Sequence, residues 1–159
     1  MKKAIFVCFL LSLVLCGCGA PIKTVEEPAS GERARLRVIS DRGVYIIPGH
    51  CADLTRPGAG TVSEFKGRSL GMPAGPTQIE KGDAAELYVK AGSPITLGVR
   101  YMSSHRDCII VASFVPKANQ DYEAVTEGNP SECSLKMWKI GKENVLVPLT
   151  KVPYGSSCW

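Results

Sequence analysis

The sequence predicts an all-β domain, an antiparallel β-sandwich of about eight short strands. Three observations predict it: apolar and polar residues alternate with period two in segment after segment, clusters of Gly, Pro, Asn and Asp punctuate those segments, and no stretch keeps a helical period over three turns. A small barrel shares this alternation and remains the alternative. No internal repeat is visible.

The chain opens with Met1-Lys2-Lys3, a short positive stretch, followed by residues 4–15 (AIFVCFLLSLVL), apolar except for Ser12. That run falls short of the roughly 20 residues needed to span a bilayer, so it reads as a secretory signal. The closing tetrapeptide Leu15-Cys16-Gly17-Cys18 resembles the lipobox of bacterial outer-membrane lipoproteins: Leu15 lies three residues before the cysteine, the small Gly17 immediately before it, and Cys18 is the residue to be acylated. The resemblance implies that residues 1–17 are a cleaved lipoprotein signal peptide. It further implies that Cys18 carries a diacylglyceryl thioether and an amide-linked chain of the palmitate type. Several acyl chains, at about 0.8 kcal/mol per buried methylene, would hold the protein on the membrane permanently. Gly19, where an Asp would signal inner-membrane retention, implies the periplasmic face of the outer membrane. Residues 18–33, with two prolines and little apolar content, read as the lipidated N-terminus and a flexible tether, leaving 34–159 as the sandwich domain.

Within that domain the strands follow in order. Ala34, Leu36 and Val38 alternate with Arg35 and Arg37, the turn Asp41-Arg42-Gly43 follows, and residues 44–47 (VYII) form a second strand, suggesting a hairpin. Residues 49–82 are rich in Gly and Pro and predict mostly loop, with short strand pieces at 61–66 and 77–79; a loop of this length points to partner-facing surface. Residues 86–90 alternate again, Ala91-Gly92-Ser93 turns, and Ile95, Leu97, Val99 and Tyr101 share one face. Residues 108–115 (CIIVASFV) are apolar on both faces, as in a covered strand. Turns at 116–120 and 127–130 then frame strands at 121–126 and 133–140, and Gly141-Lys142 leads into a last strand at 143–149.

Charge excludes little. Without Lys2 and Lys3 the 19 basic residues become 17 against 15 acidic ones, an interspersed excess too small to argue for nucleic acid as a partner. Cysteines say more. Of seven, Cys8 and Cys16 leave with the leader and Cys18 takes the lipid, so Cys51, Cys108, Cys133 and Cys158 remain, an even set suited to two disulfides in an oxidising compartment. There is no Cys-x-x-Cys pair, and His50 and His105 are the only histidines, so neither a metal nor a cofactor is expected. If residues 108–115, 121–126 and 133–140 form a meander, Cys108 and Cys133 lie two strand spacings apart, about 9.6 Å, beyond the roughly 7 Å that a disulfide tolerates. This favours Cys51 with Cys108 and Cys133 with Cys158, with the other two connectivities left open.

The stretch 108–140 also resembles a pattern of small bacterial lipoproteins of unassigned function: an apolar strand ending in Phe-x-Pro (Phe114, Pro116), a Tyr-Glu strand (Tyr122, Glu123) and a cysteine opening the next strand (Cys133). The resemblance implies a disulfide-containing sandwich and no activity. Candidate sites are sparse. His50-Cys51-x-Asp53 contains the residue types of a nucleophile or metal site, but a disulfide at Cys51 removes the thiolate that catalysis needs. His105 lies in a polar loop. Trp138, on the strand face shared with Ser134 and Lys136, and Arg56 in the long loop are the candidate partner-binding anchors. The expected function is therefore a non-enzymatic, lipid-anchored periplasmic binding or assembly domain with an envelope protein as partner. A small-ligand carrier, or an envelope enzyme with a loop-built site near His50, Asp53 and His105, are the alternatives.

Overall fold

A computed structural model describes residues 23–78 and 83–158. The lipidation site assigned to Cys18 lies outside the described residues. Ten strands build two five-stranded sheets: β1 (Arg33–Ile39), β2 (Val44–Pro48), β3 (Gly60–Thr61), β4 (Ala84–Lys90), β5 (Ile95–Met102), β6 (Asp107–Phe114), β7 (Asp121–Gly128), β8 (Cys133–Ile140), β9 (Val145–Leu146) and β10 (Thr150–Lys151). One sheet runs β4-β1-β7-β8-β9 and the other β10-β6-β5-β2-β3. All neighbours are antiparallel except β1 and β7, which run parallel. The all-β sandwich is thus the architecture, packed face to face over one apolar interior.

The alternation in the sequence builds that interior. Leu36 and Val38 of β1, Leu87 and Val89 of β4, Ala124 of β7 and Met137 of β8 point inward from the first sheet. Val44 and Ile46 of β2, Leu97, Val99 and Tyr101 of β5 and Phe114 of β6 meet them from the second. Phe114 sets its ring edge-on to Tyr122 of the opposite sheet, with centroids 5.1 Å apart. Burying each such side chain contributes roughly 1.5–3 kcal/mol. Tyr101 bridges the sheets differently: its hydroxyl, at the rim of the core, donates to Asp41 Oδ1 at 3.1 Å and lies within hydrogen-bond distance, 3.2 Å, of Thr126 Oγ1 of β7.

Three turns, of which those at 40–43 and 115–120 were expected to close hairpins, instead carry the chain across the sandwich. Residues 40–43 lead from β1 in one sheet to β2 in the other, 91–94 from β4 to β5, and 115–120 from β6 to β7. This corrects the disulfides. Because β6 and β8 lie in opposite sheets, Cys108 and Cys133 face each other from either side and are bonded, with Cα atoms 5.9 Å apart. Cys51 pairs with Cys158 instead, closing a sequence separation of 107 residues and fastening the C-terminal tail to the loop after β2. The favoured pairing failed because it assumed a single-sheet meander.

The tether assignment is corrected in part. Residues 23–32 lie against the domain: Thr24 forms a parallel bridge with Thr61, Val25 is buried, and Glu27 accepts a hydrogen bond from the Tyr88 amide at 2.6 Å and pairs with Arg68 at 2.9 Å. Gly60 is needed here, because a Cβ at that position would overlap the backbone of residues 23–25. The long loop holds less strand than expected, only β3 and a 3-10 turn at Ser63–Phe65 between Gly49 and Gln78.

Candidate functional site

The outward-facing positions divide the molecule. On the β4-β1-β7-β8 face, the register aligns Glu86, Arg37, Glu123 and Trp138 in one row across four strands. Arg37 donates through Nε to Glu86 Oε1 at 2.9 Å and through Nη1 to Glu123 Oε2 at 3.1 Å. Residues 67–78 lie over this row as a strap. The Leu70 amide donates to Glu86 Oε2 at 2.5 Å and the Thr77 amide to Glu123 Oε1 at 3.1 Å, while Arg37 Nη2 donates to the Met72 carbonyl at 3.3 Å. Next to the row, Arg35 grips Asp121 with two bonds of 2.6 and 2.8 Å and donates to the Leu70 carbonyl at 3.0 Å. All four carboxylate oxygens of Glu86 and Glu123 are thereby occupied, and the Glu123 side chain is 0 % exposed. Buried charge is tolerated only with such complete pairing. The glycine at Gly75 lets the strap close, since a Cβ there would overlap the Glu123 carboxylate. This part of the long loop, expected as partner-facing surface, covers its own sheet with its inner side and keeps residues 67, 69, 71, 73, 74, 76 and 78 exposed on its outer side.

An open concavity combining apolar walls with lysines lies where β6, β8, β9 and β10 come together at the edge of the sandwich. It is a cleft of about 560 Å³. Phe114 and Tyr122 form part of its base, Val115, Val145 and Leu146 its exposed apolar walls, and Lys117 and Lys139 its charges; no carboxylate lines it. Tyr122 is fixed by accepting a hydrogen bond on its hydroxyl from the Lys117 amide at 3.0 Å. The arrangement follows from the topology. The crossing after β6 delivers Lys117, the β8 strand delivers Lys139, and the short β8 to β9 hairpin places Val145 opposite Lys139. Such a cleft takes an anion with an apolar body.

The residues singled out from sequence fall unevenly around it. His50 lines the cleft, its Nδ1 hydrogen-bonded to the hydroxyl of buried Ser113. Cys51 is in a disulfide, so no thiolate accompanies it. The Asp53 carboxylate turns to Thr55, accepting from its amide at 2.9 Å and its hydroxyl at 2.6 Å, and these bonds hold its pKa below the ordinary 3.8. His105 bonds to Ser104 in the β5 to β6 hairpin, the full length of β5 away from Pro94 and His50. Eight residues of strand span about 25 Å, so His50, Asp53 and His105 are not assembled into one site. Trp138 is half-buried rather than a protruding anchor, and it pairs across strands with Leu146 of the cleft wall. Arg56 is likewise half-buried, its guanidinium laid against Gly49, outside the cleft. Ser113, Lys117 and Lys139 had no signal in the sequence beyond residue type.

Among the described residues there is no group of three His, Cys, Asp or Glu side chains placed to hold a metal ion, and no helix long and apolar enough to cross a membrane. No protein-family model matches the chain, and neither the curated proteins nor the solved structures yield a match.

Proposed function

We propose that this chain is a lipid-anchored binding domain of the bacterial envelope, held at the periplasmic face of the outer membrane through Cys18, that takes an acidic, partly apolar segment of an envelope protein in the cleft between β6 and β9. One observation carries the reading: Val115, Val145 and Leu146 stay exposed beside Lys117 and Lys139 with no carboxylate among the lining residues. Isolated exposed apolar residues are ordinary, whereas a cluster of them around unpaired cations is suited to recognition. Trp138, next to Leu146, supplies apolar area at the rim. The two disulfides fit an oxidising compartment. Catalysis is not part of the proposal, because His50, Asp53 and His105 are held apart on separate partners, Ser113, Thr55 and Ser104.

A photo-crosslinking residue placed at Leu146, and separately at Val115, tests this in cells. The expected result is a discrete protein adduct from both positions that disappears when Lys117→Glu and Lys139→Glu are combined. Adducts that ignore the charge reversal, or none from either position, would overturn it.

A further inference from the structure

The second outward face, on the β10-β6-β5-β2-β3 sheet, has an open apolar groove of about 200 Å³ that the binding cleft does not use. Tyr45, Ile109 and Val111 form its floor, Leu54 and Tyr154 rise from the loop and tail joined by the Cys51–Cys158 disulfide, and Met102 stands further along the same face. Leu54 is 50 % exposed, Met102 66 % and Tyr154 71 %. Together with Val115, Val145 and Leu146 of the cleft, these are all the large apolar side chains left exposed among the described residues. The only charged residue lining the groove is Arg100, which is paired with Asp107.

The course of the chain says what this face meets. Thr24 bridges Thr61 of β3, so the N-terminal segment joins the domain at the edge of this sheet. Four residues lie between Cys18 and Lys23, and the five Cα-to-Cα steps reach at most about 18 Å. Thr24 lies two strand spacings from Tyr45, about 10 Å. The apolar face is therefore within reach of an acylated Cys18, whereas β10 and the cleft, five spacings across the sheet, lie about 24 Å away. Tyrosines with an apolar ring and a polar hydroxyl suit the boundary between headgroups and acyl chains.

We propose that this face, centred on Leu54, Tyr45 and Tyr154, lies against the bilayer into which Cys18 is anchored. The inference rests on the lipid-anchor reading. In this pose the cleft sits at the sheet edge furthest from the attachment point, and the strapped ionic face is turned away from the membrane.

The test uses the full-length protein purified from membranes and reconstituted into phosphatidylethanolamine and phosphatidylglycerol vesicles carrying brominated acyl chains. Mass spectrometry first establishes whether Cys18 is acylated. One variant combines Leu54→Trp with Trp138→Phe and Trp159→Phe; the other keeps Trp138 alone through Trp159→Phe. The expected result is that the indole at position 54 loses most of its emission to the brominated lipid while Trp138 loses none. An acylated protein with position 54 unquenched, or with Trp138 quenched more strongly, overturns the orientation and leaves the anchor standing. A protein without acyl groups at Cys18 overturns both.

Discussion

The two outer faces of the sandwich are made by the same alternation of residues and end in opposite states. On the β4-β1-β7-β8 face the outward positions include Arg35, Arg37, Glu86, Asp121 and Glu123, and a glycine-rich strap has folded down over them, burying Arg37, Glu86 and Glu123 and leaving Arg35 and Asp121 partly exposed. On the β2-β5-β6 face the outward positions around the groove are Tyr45, Gly98, Ile109 and Val111, with one ion pair, Arg100 to Asp107, beside them, and nothing in residues 23–78 or 83–158 covers the groove. The charged face is the buried one and the apolar face is the exposed one. A buried ionic face serves the stability and shape of the domain itself, because each charge is satisfied internally. An exposed apolar face is costly in water unless something outside the domain takes it up.

The comparison is broken most directly at its charged side. Arg37→Ala leaves Glu86 and Glu123 buried without their shared cation, and the expected loss is about 3–5 kcal/mol in chemical unfolding. Loss of less than a third of that would mean the row is open to water and the two faces are not opposites. Gly75→Ala acts on the same side through the strap. It forces the added methyl against the Glu123 carboxylate, with an expected cost of about 1–3 kcal/mol and faster hydrogen exchange at the Leu70 and Thr77 amides.

Tyr101 tests how the two sheets are held together. Burial is the chief reason its pKa is raised above the ordinary 10.0, so the folded state keeps the phenol proton when the unfolded chain has lost it. Its contribution is complete below pH 10 and falls as pH rises through the folded-state value. Tyr101→Phe is expected to cost about 0.5–1.5 kcal/mol at neutral pH and to flatten the alkaline limb of stability, measured by unfolding from pH 8 to 11. A limb unchanged by the substitution would show that some other group titrates there. The smallest effect is expected on the apolar face: Leu54→Asp with Tyr154→Ser should alter stability by no more than about 0.5 kcal/mol, because neither side chain is packed. A large loss in that double variant would mean the face belongs to the core rather than to a surface.

Much of the fold was legible because period two is a direct imprint of the pleat: the inward sets Leu36/Val38 and Leu97/Val99/Tyr101 were read correctly from spacing alone. Strand partners were not. The turn residues at Asp41-Arg42-Gly43 and Ala91-Gly92-Ser93 serve equally to reverse a strand within a sheet and to pass it to the sheet opposite, and which occurs depends on how the sheets pack. The same ambiguity at residues 115–120, between β6 and β7, misplaced the disulfides. Arg37 and Glu123 sat in the sequence as solvent-side residues, which is what the alternation predicts. They are covered by backbone groups of the strap, the Met72 carbonyl accepting from Arg37 and the Thr77 amide donating to Glu123, and backbone groups carry no residue signature. The cleft was illegible for a related reason: Lys117 and Lys139 meet only because two connections end at one edge. Of the candidate site residues His50 belongs to it and Trp138 borders it, and Phe114 and Tyr122, noted only for the strand pattern, form part of its base.

The two disulfides are nested, with Cys108–Cys133 lying inside the span closed by Cys51–Cys158. A protease working on the strap at residues 67–78 would therefore cut the chain without dividing the molecule. The piece holding Cys51 would stay linked to the piece holding Cys158, and on an unreduced gel the nicked protein would run as one band that separates into two only after reduction. Once that peptide bond is gone, the N-terminal piece with its proposed membrane attachment and the C-terminal piece with the cleft remain one particle, a form of damage tolerance set by where the cross-link begins and ends.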